Sequence, residues 1–159
     1  ARDPEIRWSQ ATDRDAILAF TAATGFFRPG EIDIAREVLD DSLRDGPPGH
    51  YQSYSAVQAG RCVGWVCFGP TPCTEGTFDV YWIAVDPTCQ GRGIGRALMQ
   101  LSERLIAARG GRLVVLETSG RADYDSTRQF YLRGGYHQAA FIEDFYAPGD
   151  AKVVYLKSL

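Results

Sequence analysis

No apolar run in this 159-residue sequence approaches the ~18 residues that a membrane-spanning helix requires. Histidine occurs only at His50 and His137. The four cysteines, Cys62, Cys67, Cys73 and Cys89, include no C-x-x-C pair. So few ligands at such scattered positions argue against a zinc site, and no metal is expected. Cys62 and Cys67 lie among apolar residues and read as packing, and reduced thiols suit a cytoplasmic setting. Net charge is small as well. A formal value of −3 argues against nucleic acid or an anionic membrane as the main partner. The opening Ala1-Arg2-Asp3-Pro4 holds no apolar signal region. Repeats and low-complexity segments are missing too. What is present, 45% hydrophobic and 23% charged residues, suits a single globular domain over residues 1–159.

Periodicity and punctuation then divide the chain. Ile6–Ser9 reads as a short strand, and Thr12-x-x-Asp15 as a capping box opening a helix through Ile17 and Phe20. The loop Gly25–Gly30 breaks it, and Ile32, Ala35, Val38, Leu39 and Leu43 recur at helical spacing until Gly46-Pro47-Pro48-Gly49. Tyr51–Gln58 and Cys62–Phe68 are strands joined by a tight turn at Ala59-Gly60-Arg61. Phe78–Val85 is a strand rich in aromatic and β-branched residues. Gly93–Arg109 is an amphipathic helix stopped by Gly110-Gly111. Leu113–Leu116 is a short apolar strand, Ser126–Arg133 a helix, and Tyr136–Ile142 and Lys152–Leu156 are closing strands. The order is βααβββαβαββ. Hairpin-linked strands followed by one right-handed βαβ crossover predict a mixed sheet with helices on its faces.

The sharpest local feature is Val85-Asp86-Pro87-Thr88-Cys89-Gln90-Gly91-Arg92-Gly93-Ile94-Gly95-Arg96. A strand ends, three glycines alternate, and a helix starts. Glycines permit a tight turn and close approach of the backbone to a ligand. The first helical turn offers unpaired N–H groups and a positive dipole end, the elements of a phosphate site, with Arg92 and Arg96 adding charge. The glycines alone are equally compatible with a turn that merely starts a helix. A Walker A loop is excluded, because Arg96-Ala97 follows Gly95. A dinucleotide-binding α/β domain fits poorly. Its G-x-G-x-x-G/A pattern puts Arg96 or Leu98 in the last place, although Glu117 imitates its ribose-binding acid.

Gln90-Gly91-Arg92-Gly93-Ile94-Gly95 resembles the Arg/Gln-x-x-Gly-x-Gly/Ala signature of the GCN5-related N-acetyltransferases (GNAT). Ile83-Ala84-Val85-Asp86-Pro87 resembles the strand before it in that family. Gln129-Phe130-Tyr131-Leu132-Arg133-Gly134-Gly135-Tyr136 is similar to its Phe/Leu-Tyr-x-x-x-Gly-Phe/Tyr segment. The likeness extends along the whole chain in element order and is specific from about Asp79 to Tyr136. It implies an α/β fold with a mixed, mostly antiparallel sheet, one parallel splayed strand pair and helices on both faces. It implies acetyl-CoA (coenzyme A) as cosubstrate. The pyrophosphate would lie on the amides of Gln90, Gly91, Arg92, Gly93, Ile94, Gly95 and Arg96, and the pantetheine along Ala84 and Val85 as an added strand.

Acetylation of an amine by direct attack needs an unprotonated nucleophile, a stabilised oxyanion and a stabilised leaving thiolate. The resemblance places Tyr131 at the thiolate, where a phenol can donate a proton or hydrogen bond. The same residue could simply pack its helix. Asp79 sits where several family members carry a catalytic glutamate. The alternative is a strand-edge Asp that caps the preceding loop. A carboxylate of reference pKa ~3.9 facing an alkylammonium of ~10 would have to act through water or with a raised pKa. Glu117 is the next candidate base, and Glu75 and His50 rank behind it. The family's Asn seven residues before the tyrosine is replaced by Tyr124, so that cofactor contact does not carry over. Asp125 or Ser126 reads as a helix cap.

The acceptor pocket is expected from Phe26–Glu31 and Glu143–Gly149, with Phe27, Arg28, Phe145 and Tyr146 as substrate-binding residues. Arg28 suits a carboxylate such as that of an amino acid. Core or homodimer contacts explain the aromatics equally well. The function read from the sequence is an N-acetyltransferase moving acetyl from acetyl-CoA to a primary amine of a small molecule. A non-catalytic acyl-CoA-binding module is the competing class, and a protein N-acetyltransferase a further alternative.

Overall fold

The computed structural model describes residues 3–159. Among them are seven strands and four helices: β1 (Glu5–Trp8), α1 (Arg14–Ala23), α2 (Pro29–Asp45), β2 (Gln52–Gln58), β3 (Arg61–Pro70), β4 (Thr77–Val85), α3 (Ile94–Ala108), β5 (Leu113–Ser119), α4 (Asp125–Arg133), β6 (His137–Ala147) and β7 (Asp150–Ser158). This is the order expected from the sequence. The strands form one mixed sheet in the order β1-β2-β3-β4-β5-β7-β6. The β1/β2, β2/β3, β5/β7 and β6/β7 pairs are antiparallel. β4 and β5 are parallel, which requires a crossover, and α3 supplies it. Their register runs from Thr77↔Leu113 to Asp79↔Val115, whereas β4 continues to Val85 and β5 to Ser119. No helix among the described residues is long and apolar enough to cross a membrane.

The chain divides into two compact units. The first comprises the described residues up to 69 together with 80–105. Its core joins Ile17 and Phe20 of α1, Ala35, Val38 and Leu39 of α2, Cys62, Trp65 and Cys67 of β3, and Ala84 of β4. The neighbouring Gly64 points the opposite way, as alternation along a strand requires. A Cβ built there would lie 2.9 Å from Ile94 Cγ2 and 3.0 Å from Leu98 Cδ1, so the bare glycine lets α3 approach the sheet closely. Helices therefore cover both faces of β3. Buried polar groups behind β3 are paired, whereas Thr21 Oγ1 on α1 is buried without a hydrogen-bond partner. Trp65 Nε1 donates to Ser53 Oγ at 2.8 Å, and Ser53 Oγ donates to Ser9 Oγ at 2.8 Å. Burial pushes the Cys67 thiol pKa up, consistent with a packing role.

The second unit comprises residues 70–79 and 106–159. Phe78, Ile106, Val114, Leu116, Tyr131, Tyr136, Val153 and Tyr155 are among its buried apolar residues.

Several boundaries differ from the sequence reading. The capping box sits two residues earlier than Thr12-x-x-Asp15 and closes a 3₁₀ turn, Ala11–Asp13, that leads into α1. Asp13 Oδ2 accepts from Gln10 N at 2.8 Å, and Asp13 also holds Arg7 at 2.7 Å. Helix α2 starts at Pro29, because proline suits the first helical position and Glu31 Oε1 accepts from Arg28 N at 3.2 Å. Pro29, Gly30 and Glu31 are thus helical and not loop. β5 runs on through Glu117, Thr118 and Ser119, because each pairs with β7 as far as Ser119↔Lys152. β6 extends to Ala147 by pairing with Asp150, so Glu143–Ala147 is strand rather than pocket loop. Asp125 is the first residue of α4 and makes no side-chain cap. It lies 3.8 Å from Arg128 instead.

Candidate active site

The glycine turn belongs to the first unit. Asp86 ends β4. Its backbone N donates to Val63 O at 2.8 Å, and its Oδ1 accepts from Thr88 N at 2.9 Å and Thr88 Oγ1 at 2.8 Å. These bonds from Thr88 hold the Asp86 carboxyl below its ordinary pKa. A single 3₁₀ turn, Pro87–Cys89, follows and buries Cys89. The chain then passes through Gly91 (φ +78°) and Gly93 (φ +79°) into α3. Only glycine adopts these left-handed values without strain. At both positions a built Cβ would meet no heavy atom within 4 Å, so the backbone is open to an incoming group. The helical ladder begins with Ala97 N donating to Gly93 O at 3.0 Å. The amides of Ile94, Gly95 and Arg96 precede it, in the geometry that suits an anion. Gln90, Gly91, Arg92, Gly93 and Arg96 are exposed, Gly95 is half-buried, and Ile94 is the buried anchor against Gly64. On β4, Ala84 is buried and Val85 half-buried.

Phe27 and Arg28 also belong to this unit. Phe27 meets Trp82 edge-on at 5.0 Å, and Trp82 stacks on Trp65 at 6.0 Å. Arg28 is the exposed cap residue of α2.

Tyr131, Asp79 and Glu117 lie in the second unit. Tyr131 is buried on α4 among rings: Phe130 at 5.5 Å, Tyr155 at 5.8 Å and Tyr136 at 6.2 Å. Burial, reinforced by the Tyr124 and Tyr155 hydroxyls, raises its phenol pKa far above the usual value and keeps it protonated. Arg128, one turn earlier on α4, donates from Nη1 to Ser119 O at 2.8 Å and Arg121 O at 2.7 Å, tying the helix to the end of β5. Asp79 is half-buried on β4, and its Oδ2 accepts from Thr71 Oγ1 at 2.7 Å. Glu117 lies on β5 two residues past Val115, the partner of Asp79. It is exposed and ion-paired with Lys152 Nζ at 2.9 Å. The same ammonium lies 4.5 Å from the Phe145 ring centroid, and Phe145 meets Tyr146 at 5.1 Å. Tyr124 is buried with the Arg121 guanidinium 5.1 Å from its ring centroid. Among the described residues no cluster of His, Cys, Asp and Glu could hold a metal.

Sequence reasoning did not find Thr71, Lys152, Arg128 or the hydrogen bond of His50 to Tyr81. Each acts on a partner 7 to 35 residues away, and no local motif marks such pairs.

The sequence pattern of the acetyltransferase (GNAT) family matches residues 16–136. N-alpha-acetyltransferase RimI of Mycobacterium tuberculosis is 38% identical over 103 residues, which span 63% of this chain and 60% of that protein. A solved GNAT-family structure from Desulfovibrio desulfuricans superposes with a TM-score of 0.92 at 39% identity, covering 98% of each chain. An aminoglycoside 6'-N-acetyltransferase solved with coenzyme A shares the fold at a TM-score of 0.78 and 16% identity, over 97% of this chain and 96% of its own. The chain belongs to the GNAT acetyltransferase family.

Proposed function

We propose that this protein is an acetyl-CoA-dependent N-acetyltransferase acting on the primary amine of a small molecule. The observation that carries the reading is the turn at Gly91 and Gly93, where left-handed backbone lies open ahead of a helix start. That geometry fits a pyrophosphate, and the aminoglycoside acetyltransferase of the same fold was solved with coenzyme A. Amides of Gln90–Arg96 would hold the phosphates, with Arg92 and Arg96 adding charge. Ala84 and Val85 would pair with the pantetheine. Acetyl-CoA supplies the activated acetyl thioester.

Tyr131 is the proposed donor to the departing thiolate. Its raised pKa supports this, since the phenol keeps its proton at neutral pH. Of the two carboxylates, Glu117 is engaged by Lys152, so Asp79 is the one proposed to act on the ammonium, through water. Phe27 and Arg28 are proposed for acceptor binding. Phe145 and Tyr146 are weaker choices, because Phe145 already carries the Lys152 ammonium on its ring.

A second reading has a specific observation in its favour. The 38% identity to RimI supports a peptide α-amine as acceptor. One experiment tests both. Acetyl-CoA turnover is measured against a panel of aminoglycosides, polyamines, amino acids and short peptides with free N-termini. Turnover with small amines supports the first reading, and turnover confined to peptides supports the second. Cofactor binding without turnover on any amine would leave a non-catalytic acyl-CoA-binding module.

A further inference from the structure

His50 and Tyr81 lie 31 residues apart in sequence and meet in the first unit, where His50 Nε2 is 2.9 Å from Tyr81 Oη. Three further features fix this pair. The His50 ring packs edge-on against Tyr51 at 4.9 Å, and Tyr51 packs edge-on against Tyr81 at 5.4 Å. Tyr51 itself rests on the core built by α1, α2 and β3. Residue 69 is glycine, and a Cβ there would lie 2.7 Å from His50 O and 3.0 Å from His50 Nε2. Any larger residue at 69 would displace the imidazole. The ring is therefore seated in a cradle of bare backbone and two phenols, yet His50 is exposed to solvent.

Tyr81 stands on β4 three residues before Ala84. At ~3.3 Å per residue that is about 10 Å along the strand, away from the glycine turn. If the phosphates sit at the turn and the pantetheine runs back along β4, the thioester end points towards Tyr81. An attacking amine must lose a proton there. Carboxylates are distant in acidity from an alkylammonium, with reference pKa values of ~4 against ~10, and imidazole at ~6.5 is nearer.

We propose that Tyr81 and His50 form a proton relay from the acceptor amine to solvent, alongside Asp79. The inference rests on the acetyltransferase reading. As the amine nitrogen bonds to the acetyl carbon, its N–H bond breaks and the proton passes to Tyr81 Oη. The phenolic proton passes at the same time to His50 Nε2. Tyr81 ends neutral, His50 ends as imidazolium, and bulk water takes the proton back. No oxidant or further reactant is required. Tyr81 is the catalytic residue of the pair, and His50, acting through it, is the positioning and accepting partner.

The test uses the full chain with the best amine from the panel and compares wild type, Tyr81→Phe, His50→Ala and the double variant. Each single change is expected to lower kcat by about 100-fold, the lower end of the range for a positioned acid or base, with acetyl-CoA affinity unchanged. The double variant is expected to be no slower than the slower single one, because both changes break one chain. Imidazole added to the buffer is expected to restore kcat in His50→Ala but not in the double variant, a response that a structural role would not produce. Wild-type kcat in His50→Ala, multiplicative losses in the double variant, or no imidazole response in His50→Ala would overturn the relay while leaving the acetyltransferase reading intact. A wild type that acetylates no amine overturns that reading, and the relay with it.

Discussion

Valine at position 93 isolates the contribution of the turn's backbone. No heavy atom lies within 4 Å of a Cβ built on Gly93, so the side chain meets no obstacle and the whole effect is conformational. At φ +79° a β-branched residue is strained by about 1–3 kcal/mol. The chain can relieve that strain by moving to negative φ, which rotates the peptide groups on either side and turns their amides away. A hydrogen bond to a charged group contributes roughly 1.5–3 kcal/mol. Loss of one or two such bonds gives about 3 kcal/mol, or roughly 100-fold weaker acetyl-CoA binding. Gly149 provides the control. Its φ is also +79° and its Cβ position is equally open, but it turns the β6–β7 hairpin. Calorimetric titration with acetyl-CoA should show the loss in Gly93→Val alone. Thermal melting should show similar falls in both variants, about 2–4 °C per kcal/mol for a chain of this size. Unchanged affinity in a folded Gly93→Val protein, or an equal loss in Gly149→Val, would refute the reasoning.

Tyr131→Phe should lower kcat by roughly 10- to 1000-fold with little change in acetyl-CoA affinity; steady-state kinetics with full turnover would reduce Tyr131 to packing. Asp79→Asn should cut kcat/KM most at low pH and least near the amine pKa, where the amine no longer has an ammonium proton to give up before attack. Parallel pH–rate profiles, with a lowered Tm shared by Thr71→Val, would leave Asp79 as the anchor of Thr71 alone. Asp13 governs acid stability. Burial pushes its pKa up, but hydrogen bonds from Arg7, Gln10 N and Ser55 outweigh burial and hold it below the ordinary carboxylate value. The folded state then binds fewer protons than the unfolded one. The stabilisation is present above about pH 4 and is lost as pH falls through the lowered value. Asp13→Asn should lower Tm at neutral pH and flatten the acid limb of Tm against pH, and an unchanged acid limb would count against this assignment.

Much of the fold could be read because its signals are local. Gly46-Pro47-Pro48-Gly49 ends α2 and Gly110-Gly111 follows α3 as punctuation predicts. Ala59 and Gly60, both at positive φ, close the β2–β3 hairpin. The misplaced strand ends share one cause. Glu117, Thr118 and Ser119 have no strand-like pattern of their own, and β7 makes them strand by pairing with each in turn. Glu143–Ala147 reads as a polar and aromatic loop until the hairpin through Gly149 draws it into β6. Ahead of α1, a hydrogen bond from Gln10 N and an ion pair to Arg7 make Asp13 the acid of the box, in a 3₁₀ turn, while Asp15 is exposed.

The sequence by itself determined the parts whose physics is contained in a few consecutive residues. Gln90 to Gly95 can only turn tightly and start a helix, because glycine alone tolerates φ near +79° and the following amides have no earlier carbonyls to bind. It also determined the element order, and with it the single crossover that makes β4 and β5 parallel. Only the tertiary structure decided which neighbour each titratable candidate meets. Asp79 receives Thr71, Glu117 receives Lys152 across the β5/β7 pair, and His50 receives Tyr81 in the space that Gly69 leaves. Burial among Phe130, Tyr136 and Tyr155 keeps Tyr131 protonated. Charge and proton affinity depend on what lies within a few ångströms, and those neighbours are brought together by sheet pairing and packing over separations that no sequence window spans.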